Sequence, residues 1–207
     1  MPNVFAVTFR AFRFYLDGTE SGSTAAAAQD TNEAVNVGAG DLKRHLRVSL
    51  AETGSGSISG AATDDYQLQV SVDGGAYGNV TGSSTYVKAD TGSGLTDGDA
   101  TTDRAGEPVD NPGTGSFVAG IQEEADALIA NWQLTANNFT EHVFALVLVA
   151  ADFTVDGSRT LDFRVALNGG SPGITTSVVP RITVTKVPTP KPINILVAQS
   201  VGRSVTW

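Results

Sequence analysis

The chain has no cysteine. Disulfides, thiolate metal sites and a cysteine nucleophile are excluded, so stability must come from packing and hydrogen bonds. Histidine is nearly as scarce, with only His45 and His142 in 207 residues. Positive charge is also short: 13 Lys and Arg stand against 22 Asp and Glu, a formal net charge of −9. That balance repels a phosphate backbone and argues against sequence-independent nucleic-acid binding. Long apolar runs are missing too. The most apolar stretch, Val143 to Ala151, falls well short of the roughly 20 residues that a membrane-spanning helix needs. Arg10 and Arg13 interrupt the apolar opening from Met1 to Tyr15, where a signal peptide would have an unbroken core. These shortages predict a soluble protein with neither a membrane nor a nucleic-acid partner, and no export by a signal peptide.

What the sequence has in quantity is glycine, 23 residues of it, with 41% hydrophobic residues, a composition of many turns rather than long helices. Apolar residues recur at period two. Phe5, Val7, Phe9 and Ala11 share one parity and Phe12 and Phe14 the other, a switch that predicts a bulge or a strand changing sheets. Leu46, Val48 and Leu50 alternate with His45, Arg47, Ser49 and Ala51, which predicts a half-buried strand. Tyr66, Leu68, Val70 and Val72 alternate with Gln67, Gln69 and Ser71 and lead into Asp73-Gly74-Gly75, a tight hairpin turn whose return strand starts near Tyr77. A short strand fits Thr85 to Lys88. The alanine-rich stretch from Ser21 to Gln29 stays unassigned. Residues 89–115 are rich in Gly, Asp, Thr and Pro with hardly any apolar anchor and read as one long surface connection, the kind of loop that is often functional. Residues 121–130 have the only helix-like composition, and helix and strand both stay open there.

Glu141 to Ala150 is apolar nearly throughout, as befits a central strand covered on both sides. Leu161, Phe163, Val165 and Leu167 give another strand, Asn168-Gly169-Gly170 a turn, and Ile182 with Val184 the next strand. Pro188, Pro190 and Pro192 then make a stiff linker. The pattern predicts an all-β, antiparallel β-sandwich over residues 1–187, immunoglobulin-like or jelly-roll-like with long loops. Residues 188–207 become a proline-rich linker and an extended C-terminal arm whose interacting residues are Ile193, Ile195, Val197 and Trp207.

Candidate chemistry is thin. His45 lies on the polar parity of its strand and His142 beside Glu141, but neither comes with a recognisable nucleophile and orienting carboxylate. The Gly-x-Ser-x-Gly spacing fails at Gly54-Ser55-Gly56-Ser57-Ile58. Asp97, Asp99 and Asp103 place alternate carboxylates in a loop that could offer oxygen ligands to Ca²⁺, without the glycine and terminal glutamate of an EF-hand; a solvated loop with local turns is the favoured account of them. Tyr15, Tyr66, Tyr77, Tyr86, Trp132 and Trp207 are candidates for stacking on sugars, with Tyr77 near a hairpin tip the freest and Tyr66 at a core position. The Asn79-Val80-Thr81 and Asn138-Phe139-Thr140 sequons mean nothing without a secretory route. No catalytic residue is assigned, and the expectation is a protein that is not an enzyme and needs no cofactor.

Several phrases carry a resemblance: Phe14-Tyr15-Leu16-Asp17-Gly18-Thr19-Glu20, Tyr66-Gln67-Leu68-Gln69-Val70-Ser71-Val72-Asp73-Gly74-Gly75, Leu95-Thr96-Asp97-Gly98-Asp99, Gly115-Ser116-Phe117-Val118, Phe139-Thr140-Glu141-His142, Phe163-Arg164-Val165 and Pro180-Arg181-Ile182-Thr183-Val184. In that order, over about residues 9–185, the chain resembles virion structural proteins of tailed bacteriophages and prophages with immunoglobulin-like sandwiches. The resemblance implies a particle component made in the host cytoplasm, which decorates or cements a capsid through its surfaces and C-terminal arm. Its partners would be major capsid or tail proteins, and its copies would sit on symmetric sites as a homo-oligomer. The alternative is a tail- or collar-associated module that binds a host-surface carbohydrate.

Overall fold

The computed structural model describes residues 6–54, 56–59, 65–104, 115–130, 132–167, 174–176 and 178–188. Two-residue alternation dominates these stretches and so does the strand: β1 Val7–Leu16, β2 Glu33–Val37, β3 Leu42–Glu52, β4 Ile58–Ser59, β5 Tyr66–Val72, β6 Gly78–Asn79 and β7 Val87–Ala89, followed by β8 Phe117–Glu123, β9 Leu128–Ile129, β10 Gln133–Leu134, β11 Phe139–Leu148, β12 Ser158–Leu167, β13 Ile174–Thr176 and β14 Arg181–Lys186. Among the described residues the helical content is one 3-10 turn, Ala150–Asp152. The protein is all-β, as its composition predicts.

One sheet has the order β13-β1-β3-β11, with β7 and β8 both paired to the far side of β11; the other runs β2-β14-β12-β5, with β6 and β9 on the far side of β5. A short β4–β10 ribbon stands apart from both. Most pairings are antiparallel, but β13 on β1, β8 on β11 and β2 on β14 are parallel, so both sheets are mixed. Their inner faces meet in one core, where Phe14 packs edge-on against Phe163 at 6.2 Å between ring centroids. Both rings are fully buried, and truncating either to alanine would cost about 3–5 kcal/mol.

The parity switch in β1 is a bulge. Phe9 pairs with Leu50 and Ala11 with Ser49, leaving Arg10 extra. The insertion keeps Phe9, Phe12 and Phe14 all on the core side, opposite Leu50, Val48 and Leu46. Without the added residue, one phenylalanine set would face away from the core. The Asp73-Gly74 turn is equally local: both residues adopt positive φ, 52° and 74°, and the Gly75 N–H closes onto the Val72 carbonyl at 3.0 Å. Aspartate and glycine tolerate that conformation at little cost. β6 returns from Gly78, close to the expected Tyr77. The stretch after Asp17 runs back along β1, with the Leu16 N–H bonded to Thr24 O and the Ala26 N–H to Phe14 O.

Two sequence expectations need correction. β3 is buried on both faces rather than one. The connection expected to lie free on the surface is also, in its described part, a strap: residues 90–104 cross the outer face of β3 and β11, and Leu95 packs there with Val143 and Ala145 in a small second hydrophobic cluster. Residues 121–130 hold no helix: 121–123 end β8, which pairs with β11, 128–129 form β9, which pairs with β5, and 124–127 bend between them. The Asn168-Gly169-Gly170 turn and the arm residues Ile193, Ile195, Val197 and Trp207 lie outside the described residues.

Candidate functional site

Among the described residues, a buried group of paired ionisable side chains sits beneath the strap. β3 presents His45, Arg47 and Ser49 on its outer face, and β11 presents Glu141, Val143 and Ala145 beside them, because Ser49 pairs with Glu141, Arg47 with Val143 and His45 with Ala145. Arg47 is 1% exposed. Its Nε donates to Glu141 Oε2 and its Nη1 to Glu20 Oε1, each at 2.5 Å, and its Nη2 donates to the Thr102 carbonyl. Glu20 also accepts the Thr102 N–H at 3.2 Å and the Thr102 hydroxyl at 2.9 Å. One guanidinium therefore joins the Asp17–Ser23 turn, the central strand pair and the strap.

A single cation between two buried carboxylates cannot serve both equally. Burial pushes Glu20 up, but the Arg47 guanidinium and the two Thr102 donors outweigh it and hold this carboxyl below its ordinary range. For Glu141, burial prevails over the pull of Arg47, and its pKa is raised. Opposed carboxyls of this kind can divide acid and base roles in an active site. Here the space between them is filled by Arg47 itself and roofed by Thr101, whose hydroxyl donates to the Glu141 carbonyl at 2.7 Å. The geometry fits an internal fastener: desolvated ion pairs whose disruption is costly.

The strap is fixed at further points. Gly94 N–H donates to Asp17 Oδ1 at 2.9 Å, and a Cβ on Gly94 would lie 2.5 Å from the Gly18 carbonyl carbon, so the strap touches that turn backbone to backbone. Thr101 N–H bonds to the Gly120 carbonyl at 3.0 Å, and Gly120 N–H bonds back to the Thr101 hydroxyl at 2.9 Å. Gly120 occupies the bulge where β8 slips against β11, and a Cβ there would meet the Glu141 carbonyl oxygen at 2.1 Å. Only glycine fits a contact that close.

The two histidines have structural surroundings. His45 Nε2 lies 3.2 Å from Asp17 Oδ1. Burial lowers its pKa despite the attraction of Asp17, so the contact is read as a hydrogen bond from a neutral ring rather than an ion pair. His142 points to the core with Val48; its Nδ1 accepts the Ile121 N–H at 3.1 Å and its ring meets Trp132 edge-on at 5.1 Å. Complete burial drives its pKa down to about 3. Glu123, 7% exposed, shares the register of Phe144 on the core-facing side. Burial, reinforced by Asp97 and Asp126, pushes its carboxyl up to about 8.

Asp97, Asp99 and Asp103 do not converge. Asp97 Oδ1 accepts the Glu124 N–H at 2.8 Å and the Ala125 N–H at 3.4 Å, and among the described residues no three His, Asp or Glu side chains are grouped to hold a metal. The Asp97 carboxylate caps backbone instead. The aromatic candidates are likewise dispersed: Tyr15, Tyr66 and Trp132 are buried, and Tyr86 packs against Phe153 at 5.2 Å. Tyr77 is half-buried, with the Arg164 guanidinium 4.0 Å above its ring and its hydroxyl pKa raised by burial and by Asp162.

No known family model and no curated protein sequence matches this chain.

Arg47, Glu20 and Glu141 were missed as a unit by the sequence reading. They are separated by 27 and 94 positions, and no local spacing brings them together. The one available signal was charge on a strand whose opposite strand, β11, is apolar enough to demand cover on both faces.

Proposed function

We propose that the protein is a non-enzymatic structural component of a bacteriophage particle, working as a decoration or cementing protein through its surfaces and its C-terminal arm. The observation that carries this reading is the use made of the ionisable side chains. Arg47, Glu20 and Glu141 are spent on one another beneath the strap, which hardens the outer face of one sheet. A doubly covered sheet without thiols or a metal-like cluster among the described residues suits a part that must stay folded when exposed on a particle. The phrases shared with phage virion proteins support the same reading, and so does a proline-stiffened arm able to add to a neighbour's sheet edge.

Mass spectrometry of purified particles tests this directly. Hundreds of copies per particle are expected for a shell protein, six or twelve for a tail or collar protein, and none would overturn the reading. A chain lacking residues 188–207 should lose its place on the particle; undiminished incorporation would remove the arm from the account.

A second reading, a host-glycan-binding module, is favoured by Tyr77. This half-exposed ring is neighboured by Arg164, whose Nε donates to Gln69 Oε1 at 2.9 Å, and Gln69 in turn donates to Asn79 at 2.8 Å, a mixture of aromatic and planar polar groups that suits a sugar. Glycan-array binding abolished by Tyr77→Ala would establish it, and an array without a signal would remove it.

A further inference from the structure

Among the described residues the second sheet ends at β2, and β2 is paired on one side only. The Val37 carbonyl accepts the Val187 N–H. Along a strand, the N–H and C=O of one residue point to the same side and those of its neighbours to the other. Glu33, Val35 and Val37 thus turn their backbone groups to β14, whereas Ala34 and Asn36 turn theirs outward. Both are exposed, and no described residue bonds to that margin. The strand itself carries none of the usual edge protections: residues 33–37 contain no lysine or proline, the register with β14 is unbroken, and the one charge, Glu33, is held by Arg44 at 2.7 Å. Such a margin is a template for another strand.

The same corner is where the chain leaves the sandwich. Val187 bonds beside the end of β2, and nineteen residues follow Pro188. By sequence, Pro188, Pro190 and Pro192 favour an extended exit, and five residues at roughly 3.1 Å each would span about 15 Å. Then comes Ile193-Asn194-Ile195-Leu196-Val197, uncharged and rich in strand-forming residues. To reach its own β2 margin the chain would have to reverse within two strand spacings, roughly 10 Å. It would do so where Lys186 Nζ already holds the Gly38 carbonyl. Alternating prolines oppose that reversal. The β2 margin of another copy requires none.

We propose that residues 193–197 of one copy add as a strand to the free β2 margin of a second copy. The inference rests on the reading of residues 188–207 as a docking arm and names its acceptor. Donor and acceptor are different surfaces, so the contact is heterologous and closes by reciprocal exchange or as a ring.

A chain without cysteine makes the test direct, since an introduced thiol has no native competitor. Asn36→Cys is mixed under oxidising conditions with Asn194→Cys, Leu196→Cys or Ala198→Cys, each in the full chain, and light scattering gives the mass of the unmodified protein. Expected are a disulfide-linked dimer from at least one mixture, a native mass of several chains, and a fall to one chain after deletion of residues 188–207. Asn36→Pro, which removes an outward N–H and leaves the β14 pairing intact, should give the same fall with an unchanged far-UV spectrum. A monomeric full chain, or a disulfide that forms only within an Asn36→Cys/Asn194→Cys double variant and never between copies, overturns the proposal. Particle incorporation that persists despite such a result would leave the virion reading standing and reject this acceptor alone.

Discussion

Glu123 should make this protein less stable as the pH rises. Its carboxyl lies on the core-facing side of β8 with Asp97 and Asp126 for neighbours, and its pKa is raised from 4.5 to about 8. A carboxyl with a raised folded-state pKa favours the protonated fold. Its contribution is complete below the unfolded value near 4.5 and is lost as pH climbs through about 8. At about 1.4 kcal/mol per pKa unit the limiting loss approaches 5 kcal/mol; relaxation of the surroundings around the charged carboxylate reduces this to about 2–3 kcal/mol. For a chain of this size that loss corresponds to roughly 4–12 °C in Tm. Urea unfolding of the native chain and of Glu123→Gln at pH 5 and pH 9 checks the reasoning. The amide is neutral at both values, so the variant should match the native chain at pH 5 and exceed it by that margin at pH 9. Equal losses in both proteins between pH 5 and pH 9 would show that Glu123 is ionised at little cost and refute the argument.

Arg47→Met should destabilise by about 3–5 kcal/mol, because Glu20 and Glu141 then stay buried without a countercharge. Adding Glu20→Gln and Glu141→Gln should recover a large part of the loss in urea unfolding, and a triple variant no better than the single one would deny the network its role. Gly120→Ala should cost about 2 kcal/mol or more, since its Cβ would meet the Glu141 carbonyl at 2.1 Å; Gly38→Ala, with nothing within 4 Å, should stay within about 0.5 kcal/mol. His142 should show no NMR titration between pH 8 and pH 4, as its pKa is about 3. An inflection near 6.5 would mean that its ring reaches solvent.

What could be read from the sequence was local. The bulge at Arg10 shows as a change of parity between Phe9 and Phe12, and the Asp73-Gly74 turn as a dipeptide whose backbone preference needs no tertiary help. Alternation also separates Leu46, Val48 and Leu50 from His45, Arg47 and Ser49. It says which residues share a face, however, and not whether something covers the other face. The strap was invisible for that reason: it is polar, and Leu95 is its one buried large apolar residue. Residues 121–130 could not be told from a helix by their acidic, alanine-rich composition, because the strand character of 121–123 and 128–129 comes from pairing with β11 and β5. The parallel pairing of β2 with β14 joins residues about 150 positions apart, where neither strand signals its partner.

The fastener at Arg47 has a consequence for the order of folding. β1 and β3 are close in sequence and can form a hairpin early, but Glu141 arrives only with β11, 94 positions later. Non-local closures of this kind come late, after their loop entropy has been spent. Until then Arg47 is a hydrated charge on the open outer face of the hairpin, opposite Arg13, where it deters sticking to other unfinished chains, as gatekeeper charges do. The side chain that locks the completed sandwich keeps the incomplete one in solution.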